Sequence, residues 1–484
     1  MNEIELKLQM DAASAERLGA SKLLPEKWRT VQQRALYFDT SDRALAAAGL
    51  SLRIRQSGPH RTQTIKSSGQ SAAGLFERSE WETPVNTDVP VVDAASPVHD
   101  LLGKAVEDLM PIFEVEVTRR IWDVQEGDTN FEVVLDRGTI SAGDRHTSIC
   151  EMEMELKSGQ PQALFNLARK LDGAAPVRLG VLTKSERGDL LTQALRGVVK
   201  AGPVPLHKKM TAAAAFQVIV QTCIKQFRLN EDLLLASRLP EPLHQSRVAL
   251  RRLRSAFSIF GPLLGADAGR ALRDGLRDLA GALGQARDID VLLQRAHPGV
   301  LRDRLQTERE AAYDRVEEVL DSGTTRALML DLVEWVHSGF LPTGPDTEEA
   351  GCLPVRTFAV RALSRFRRRV KDGGRDLREL EDEARHEVRK DAKKLRYAAE
   401  FFALLFDKKG ETAKQQSFIL ALEAVQDKLG ALNDLATAPQ VLGRLGIAAD
   451  PEASALVAGG NKKALVAAAA IAHGNLIECR RYWR

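Results

Sequence analysis

A change of period part-way along the chain restricts the fold more than any other feature. Up to about residue 155, charged and apolar side chains alternate in short runs, the two-residue repeat of strands. EIELKL, SLRIRQ, RTQTIK, RSEWE, FEVEV, FEVVLD and EMEMELK are the clearest of these. Helices are expected at Asp11–Leu18, Val98–Leu109, Gln162–Leu171 and Glu186–Val198. Lys200–Pro205 (KAGPVP) reads as a linker, because two prolines and a glycine stop regular structure. Beyond it apolar residues recur at helical spacing to the C-terminus, interrupted by an expected loop at Gly339–Pro354. At 484 residues the chain exceeds one core. The expected fold class is α+β: an antiparallel β-barrel with flanking helices over residues 1–200, then an all-α domain over 206–484.

The helical part reads as a duplication. HQSRVALRRLRSAF from His244 matches HEVRKDAKKLRYAA from His386, and LGQARDID from Leu283 matches LGALNDLA from Leu429. The copies are 142 and 146 residues apart, so two halves are expected, about 206–340 and 354–484.

Bulk composition excludes less. Lys and Arg total 69 against 66 Asp and Glu, so the net charge of +3 points to no partner; the clustering of charge matters more. Cys150, Cys223, Cys352 and Cys479 are scattered without metal-ligand spacing, which fits a reducing, cytoplasmic setting. The opening MNEIELKLQM has no apolar h-region, and the apolar stretch near Ala464 to Ala472 is short of a membrane span. No membrane partner is expected.

Strand alternation puts Glu3, Glu5 and Lys7 on one face and Ile4, Leu6 and Leu8 on the other. Arg53 and Arg55 share a face, as do Arg78, Glu80 and Glu82, and Glu151, Glu153 and Glu155. An antiparallel sheet with one solvated face is the common origin of such a pattern. Near-pure Glu and Arg alternation on several strands points instead to a closed barrel with charges turned inward. Arginine and lysine neutralise phosphate oxygens, while paired glutamates hold a hard divalent cation. Strict alternation from Glu114 and Glu116 would turn Arg120, not Arg119, to the charged face.

On the helices, His244, Arg247, Arg251 and Arg254 fall within about 80° of arc, beside an apolar face of Leu250, Leu253, Phe257 and Phe260. His386, Arg389, Lys393 and Arg396 repeat the stripe in the second copy, and Arg252, Lys390 and Lys394 add charge off it. A solvated face paired with neighbouring acids is the usual source of a charge run. The first copy, however, has four arginines and no acid between His244 and Arg254, so an anion or partner helices must compensate. The stripes carry no interleaved aromatics of the kind that stack on bases, which disfavours nucleic acid.

The first part resembles the CYTH superfamily of triphosphate tunnel metalloenzymes. EIELK is similar to its ExExK motif, and YFDT (Tyr37–Thr40), LRIR (Leu52–Arg55), TIK (Thr64–Lys66) and RSEWE (Arg78–Glu82) follow in the family's order. PIFEVEVTRR (Pro111–Arg120), an LDRG turn (Leu135–Gly138), EMEMELKSG (Glu151–Gly159) and TKSERG (Thr183–Gly188) complete the series. The resemblance implies that Arg53, Arg55, Lys66, Arg78, Arg119 and Lys184 bind triphosphate, and that Glu3, Glu5, Glu151 and Glu153 hold Mg²⁺ or Mn²⁺. Lys7, Glu80, Glu132 and Asp136 would line the tunnel. It favours Arg119 over Arg120, which requires either a bulge or outward-facing Glu114 and Glu116.

The second part resembles the CHAD domain (conserved histidine alpha-helical domain). HQSRVALRRLRSAF, LGQARDIDVLL, HEVRKDAKKLRYAAEFF and VQDKLGALND occur in order. That resemblance implies a pseudo-two-fold pair of bundles binding inorganic polyphosphate through the two stripes. Arg287, Asp288, Asn433 and Asp434 read as orienting or helix-packing residues, with Asp288 and Asp434 placed to pair with the stripe arginines in the unliganded state. Together the two resemblances imply a metal-dependent inorganic triphosphatase carrying a polyphosphate-binding domain, cytoplasmic and associated with polyphosphate granules. A non-catalytic polyphosphate binder, or a triphosphatase acting on thiamine triphosphate or a nucleotide, are the alternatives.

Overall fold

The computed structural model describes residues 2–67, 73–94, 96–193, 197–264, 269–338, 345–408, 410–457 and 461–483. The chain divides into two compact units: Met1–Val198 with Asp321–Ser338, and Val199–Leu320 with Gly339–Arg484.

Eight antiparallel strands close the first unit into a barrel: β1 (Asn2–Gln9), β2 (Arg29–Asp39), β3 (Leu50–Ser57), β4 (His60–Ser67), β5 (Leu75–Val85), β6 (Met110–Glu126), β7 (Thr129–Ala142) and β8 (Arg145–Ser158). Their order is β5-β4-β3-β2-β6-β7-β8-β1, and β1 pairs back onto β5, with Glu3 opposite Arg78 and Leu6 opposite Leu75. A two-residue strand, β9 (Arg178–Leu179), extends that edge along β1.

Closure sends one face of every strand inward and covers part of the other with helices. Leu52, Ile54 and Ile65 turn outward into a cluster with Phe38, Leu45 and Val98, roofed by the short helices Ala44–Ala47 and Pro97–Leu102. Leu6, Leu8, Met152 and Met154 are likewise fully buried. Over β1 and β8 lie α1 (Ala12–Gly19) and α2 (Gln162–Ala174).

The inward face is not charged throughout. Tyr37, Phe113, Val115, Val117, Ile140 and Ile149 share the parity of the charged residues and pack together as an apolar plug at one end. Helix α3 (Lys184–Thr192) lies against it, with Gly188 so close to Phe113 that an added Cβ would stand 2.2 Å from the ring. This helix ends at Thr192 rather than Val198: the Thr183–Glu186 capping box starts it at Lys184, and Gln193 is already extended. The expected LDRG turn is instead the interior of β7. Its glycine serves strand contact rather than turning, because Gly138 faces Val117 and an added Cβ would lie 1.9 Å from the Glu116 carbonyl oxygen. Gly138→Ala should therefore cost on the order of 2 kcal/mol through backbone displacement, read as a lower unfolding midpoint. A midpoint equal to wild type would show that the two strands part freely here.

A further helix, α8 (Gly323–His337), belongs to this first unit although it lies far along the chain. Arg169 of α2 reaches Asp331 at 2.7 Å and also Glu334, and Arg326 pairs with Asp172 at 2.5 Å.

Two similar triplets build the second unit. The first is α4 (Ala212–Ser237), α5 (Pro240–Ile259) and α6 (Arg270–Arg295), followed by α7 (Val300–Asp321). The second is α9 (Val355–Gly373), α10 (Asp382–Phe401) and α11 (Glu411–Arg444), followed by α12 (Lys462–Glu478). The basic helices α5 and α10, both 20 residues long, pack on each other. Phe260 and Phe402, at equivalent positions in the two copies, meet at 5.9 Å between ring centroids. Both also pack against Phe358, closing the duplicated core on itself. Within the expected loop at 339–354, Pro345–Cys352 forms a short helix.

Candidate functional site

Inside the barrel is a cavity of about 340 Å³. Lys7, Arg53, Arg55, Lys66, Arg78, Arg119 and Lys184 line it together with Glu5, Glu80, Glu132 and Glu153. Asp136 and Glu151 lie just behind the wall, fully buried. The side chain of Glu3 falls outside the described residues, although its backbone pairs with Arg78.

Strand register sets up the charge pairing. Arg119 stands opposite Asp136, Asp136 opposite Glu151, and Glu153 opposite Lys7. No bulge is needed to turn Arg119 inward, because β6 keeps one unbroken register with β7 from Glu114 to Glu126. Val115 and Val117 take the inward parity at the plug, so Glu114 and Glu116 face out and Arg119 follows the valines in. Arg120 points outward and lies over the rings of Trp28 and Trp122.

Lys184 is the hub. It is the first residue of α3, placed by the Thr183 cap with its ammonium 2.7 Å from Asp136, 2.5 Å from Glu151 and 2.8 Å from Glu153. Lysine at a helix N-terminus opposes the macrodipole, so the carboxylates hold it there. Burial alone would draw the Lys184 ammonium down, but the three acids outweigh it and hold it well above its ordinary value. The converse applies to Glu153: burial pushes it up, yet Lys184, Lys7 and Arg119 keep it well below the usual carboxylate range. Arg119 closes the cluster with a fork onto Asp136 at 2.8 and 2.6 Å and a reach to Glu153 at 3.2 Å.

Farther along the lumen cations also crowd one another. Arg55 is crowded by Arg53, then by burial and Arg119, and falls to about 10. Arg55 and Lys66 also have acids beside them, Glu82 and Glu80, each at 3.3 Å.

Carboxylate oxygens of Asp136, Glu151 and Glu153 lie within 4.8 Å of one another. Oxygen donors of this kind suit a hard divalent ion. Glu5 adds a second observation in favour of one. Its Oε2 accepts from Arg78 at 3.1 Å, whereas its buried Oε1 has no hydrogen-bond partner, with Lys7 Nζ at 3.5 Å. The donor set thus fits a hard divalent cation, with Asp136 beside the glutamates expected from the sequence.

Sequence reading missed Arg187, whose guanidinium contacts Glu151 at 3.3 Å from one turn beyond Lys184. The three-residue spacing on one helix face was the available signal. It also passed over Tyr37 as a lumen residue, where its hydroxyl lies 3.4 Å from Arg53.

The basic stripes of the second unit line two cavities. His244, Arg251, Arg389, Lys393 and Arg396 border the larger, about 1220 Å³. Arg251, Arg254, Lys390, Lys393 and Lys394 border the smaller, about 300 Å³. Arg251, Lys393 and Tyr397 belong to both, so the two cavities meet there. Arg295, on the long helix of the first triplet, also lines the larger cavity and was not singled out in the sequence.

Three residues of the stripe set do not border either cavity. Arg252 is a core residue, 1% exposed, donating to Gln226 Oε1 at 3.2 Å and lying over Phe401. Its face of α5 packs against α4 and α10, which a helical wheel of one copy could not show. Arg247 donates to the Ala280 carbonyl at 3.3 Å. His386 is bonded through Nδ1 to Asn433 Oδ1 at 2.6 Å. In the first copy Arg287 takes the place of Asn433, and burial followed by Arg287 and Arg251 lowers His244.

Neutralisation across the groove is uneven. Lys390, Lys394 and Arg396 are paired with Glu387, Asp391 and Glu400. Asp288 pairs with Arg444 at 3.1 Å rather than with the stripe. Burial, then Arg389, Arg251 and Arg247, lowers Lys393 to about 7 against the opposing pull of Asp434. No described helix is long and apolar enough to cross a membrane.

A closed barrel with a two-signed lumen, followed by duplicated basic helices, defines the class. The chain matches the CYTH domain over residues 1–188 and the CHAD domain over residues 218–443. It therefore carries a CYTH domain joined to a CHAD domain in one polypeptide. An inorganic triphosphatase of Haemophilus influenzae is 32% identical over 200 residues, 40% of this chain and 55% of that protein. The chain thus spans about half the length of this relative. An uncharacterized protein of Mycobacterium tuberculosis is 28% identical over 420 residues, 77% of this chain and 76% of its own. The crystal structure of a CHAD domain from the plant Ricinus communis is 27% identical, covering 59% of this chain and 98% of that one, with a TM-score of 0.48.

Proposed function

We propose that the barrel hydrolyses inorganic triphosphate to pyrophosphate and orthophosphate, and that the helical unit binds inorganic polyphosphate. The observation that carries the first part is the lumen itself: cations enough to grip a triphosphate, acids enough to hold a metal ion, and Tyr37 as the one aromatic side chain among the lining residues. A base or thiazole ring finds no stacking pair there. The triphosphatase from Haemophilus influenzae, similar over this part of the chain, supports the same reading.

On this reading Arg53, Arg55, Lys66, Arg78 and Arg119 hold the phosphate chain and meet the charge that moves onto the departing pyrophosphate. Water forms the new bond to the terminal phosphorus as the bridging P–O bond breaks. Glu80 or Glu132 at the wall accepts a hydrogen bond from that water and orients it in line. Glu5, Glu151, Glu153 and Asp136 would hold Mg²⁺ or Mn²⁺, which supplies polarisation of a phosphoryl oxygen and neutralises its charge. Polyphosphate suits the groove because its repeating charges match a row of cations and it has no base to read. The protein then works in the cytoplasm, held on polyphosphate granules by its helical unit.

Phosphate release with Mg²⁺ from inorganic triphosphate, ATP, thiamine triphosphate and long-chain polyphosphate tests the assignment. Turnover should be fastest with inorganic triphosphate. Faster release from ATP or thiamine triphosphate would move the substrate to an organic triphosphate. Release from none, with polyphosphate still bound, would leave a binding protein.

A further inference from the structure

Read from sequence, Lys200–Pro205 is a linker. The structure seats Val199, just before this stretch, on the helical unit. Asn230 of α4, fully buried, grips the backbone of Val199 from both sides. Its Oδ1 accepts from the Val199 N–H at 3.1 Å, and its Nδ2 donates to the Val199 carbonyl at 2.8 Å and to the Gln226 carbonyl at 2.8 Å. A buried amide that spends its bonds on a connector's backbone makes a fixed clamp. Val204 and Leu206, both buried, pin the same stretch at its far end. Between the two anchors, Lys200 and Ala201 form part of the wall of the larger cavity, which His244, Arg251, Arg389 and Lys393 also line.

We propose that Val199–Ala201 is a wall of the polyphosphate site, with Lys200 contacting the bound chain and the chain in turn shielding this connector. The inference rests on the polyphosphate reading of the groove. An ammonium tethered one residue from a clamped backbone atom has less freedom to lose on binding than one on a mobile loop. Reciprocity follows: whatever keeps the connector seated tightens the polyanion, and the polyanion keeps the connector seated.

Limited trypsin digestion of the full-length protein tests this, with the cut after Lys200 followed by mass spectrometry. The cut after Lys27, an exposed residue of the barrel unit, serves as reference. Long-chain polyphosphate should slow the Lys200 cut about tenfold relative to the Lys27 cut. Asn230→Ala should speed that cut in the free protein and weaken polyphosphate binding several-fold. Lys200→Gln leaves the clamp intact, so it covers the case in which the first variant misfolds. It should lower the slope of log affinity against log salt by roughly one. Polyphosphate that binds tightly while the Lys200 cut proceeds unchanged overturns the inference and leaves the groove reading standing. Absence of any binding overturns both.

Discussion

Lys184→Met should cost the barrel about 3 kcal/mol of stability and lower triphosphate turnover on the order of a hundredfold or more. The ammonium touches Asp136, Glu151 and Glu153 together, which no other cation in the cluster does. Methionine fills similar volume but leaves three buried carboxylates facing one another. Each keeps at least one further partner: Arg119 for Asp136, Arg187 and Lys7 for Glu151, and Lys7 and Arg119 for Glu153. The cost therefore falls at the lower end of the range for breaking a buried ion pair. Millimolar Mg²⁺ should raise the unfolding midpoint of the variant more than that of the wild type, since the acids relieved of Lys184 would then share the added cation. The readouts are thermal unfolding with and without Mg²⁺ and steady-state phosphate release. A variant with wild-type midpoint and rate would show that Lys184 holds neither the acids nor the substrate.

The ease of reading this site from sequence varied with how local its determinants are. Alternation at Glu5–Lys7, Arg53–Arg55 and Glu151–Glu153 was legible because a strand's faces are fixed by parity alone. Whether a face turns inward is set by closure, and parity is silent on that. On β6 both faces carry charge, so Glu114 and Glu116 pulled the reading toward Arg120. Only the plug, where Val115 and Val117 meet Ile140 and Ile149 from other strands, turns Arg119 in. Lys184 enters from a helix cap with no periodic signal, and only the resemblance of TKSERG to a family motif identified it.

The helical half failed at a different level. The duplication was legible, and so were the stripes, but burial on a helix depends on which neighbours arrive. Arg252 and Lys394 occupy equivalent places in the two copies. Phe401 and Gln226 cover the first, while the second stays partly exposed beside Asp391. The connector's lack of regular structure was legible, but its seating was not. Proline and glycine do exclude regular structure from it, but they say nothing about a distant asparagine that clamps Val199.

Polyphosphate affinity should rise about tenfold as pH falls from 8 to 6, and Lys393→Met should remove most of that rise. Burial and the flanking Arg389, Arg251 and Arg247 put the Lys393 amine near 7, against which Asp434 pulls the other way. Above that value the free groove holds the neutral amine; below it, the ammonium. A polyanion binds the ammonium and raises its pKa, so binding at pH 8 takes up a proton and binding at pH 6 takes up almost none. The dependence therefore runs toward tighter binding in acid. His244 works in the same sense at lower pH, because its environment depresses it too. Calorimetric titration in two buffers of different ionisation enthalpy should show uptake approaching one proton at pH 8 in the wild type, and little in the variant. Arg252→Met is the control: its guanidinium is buried away from both cavities, so affinity and pH profile should stay within about twofold of wild type. Equal affinity at pH 6 and 8, or a variant that keeps the slope, would place the bound chain away from the junction that Arg251, Lys393 and Tyr397 form between the two cavities.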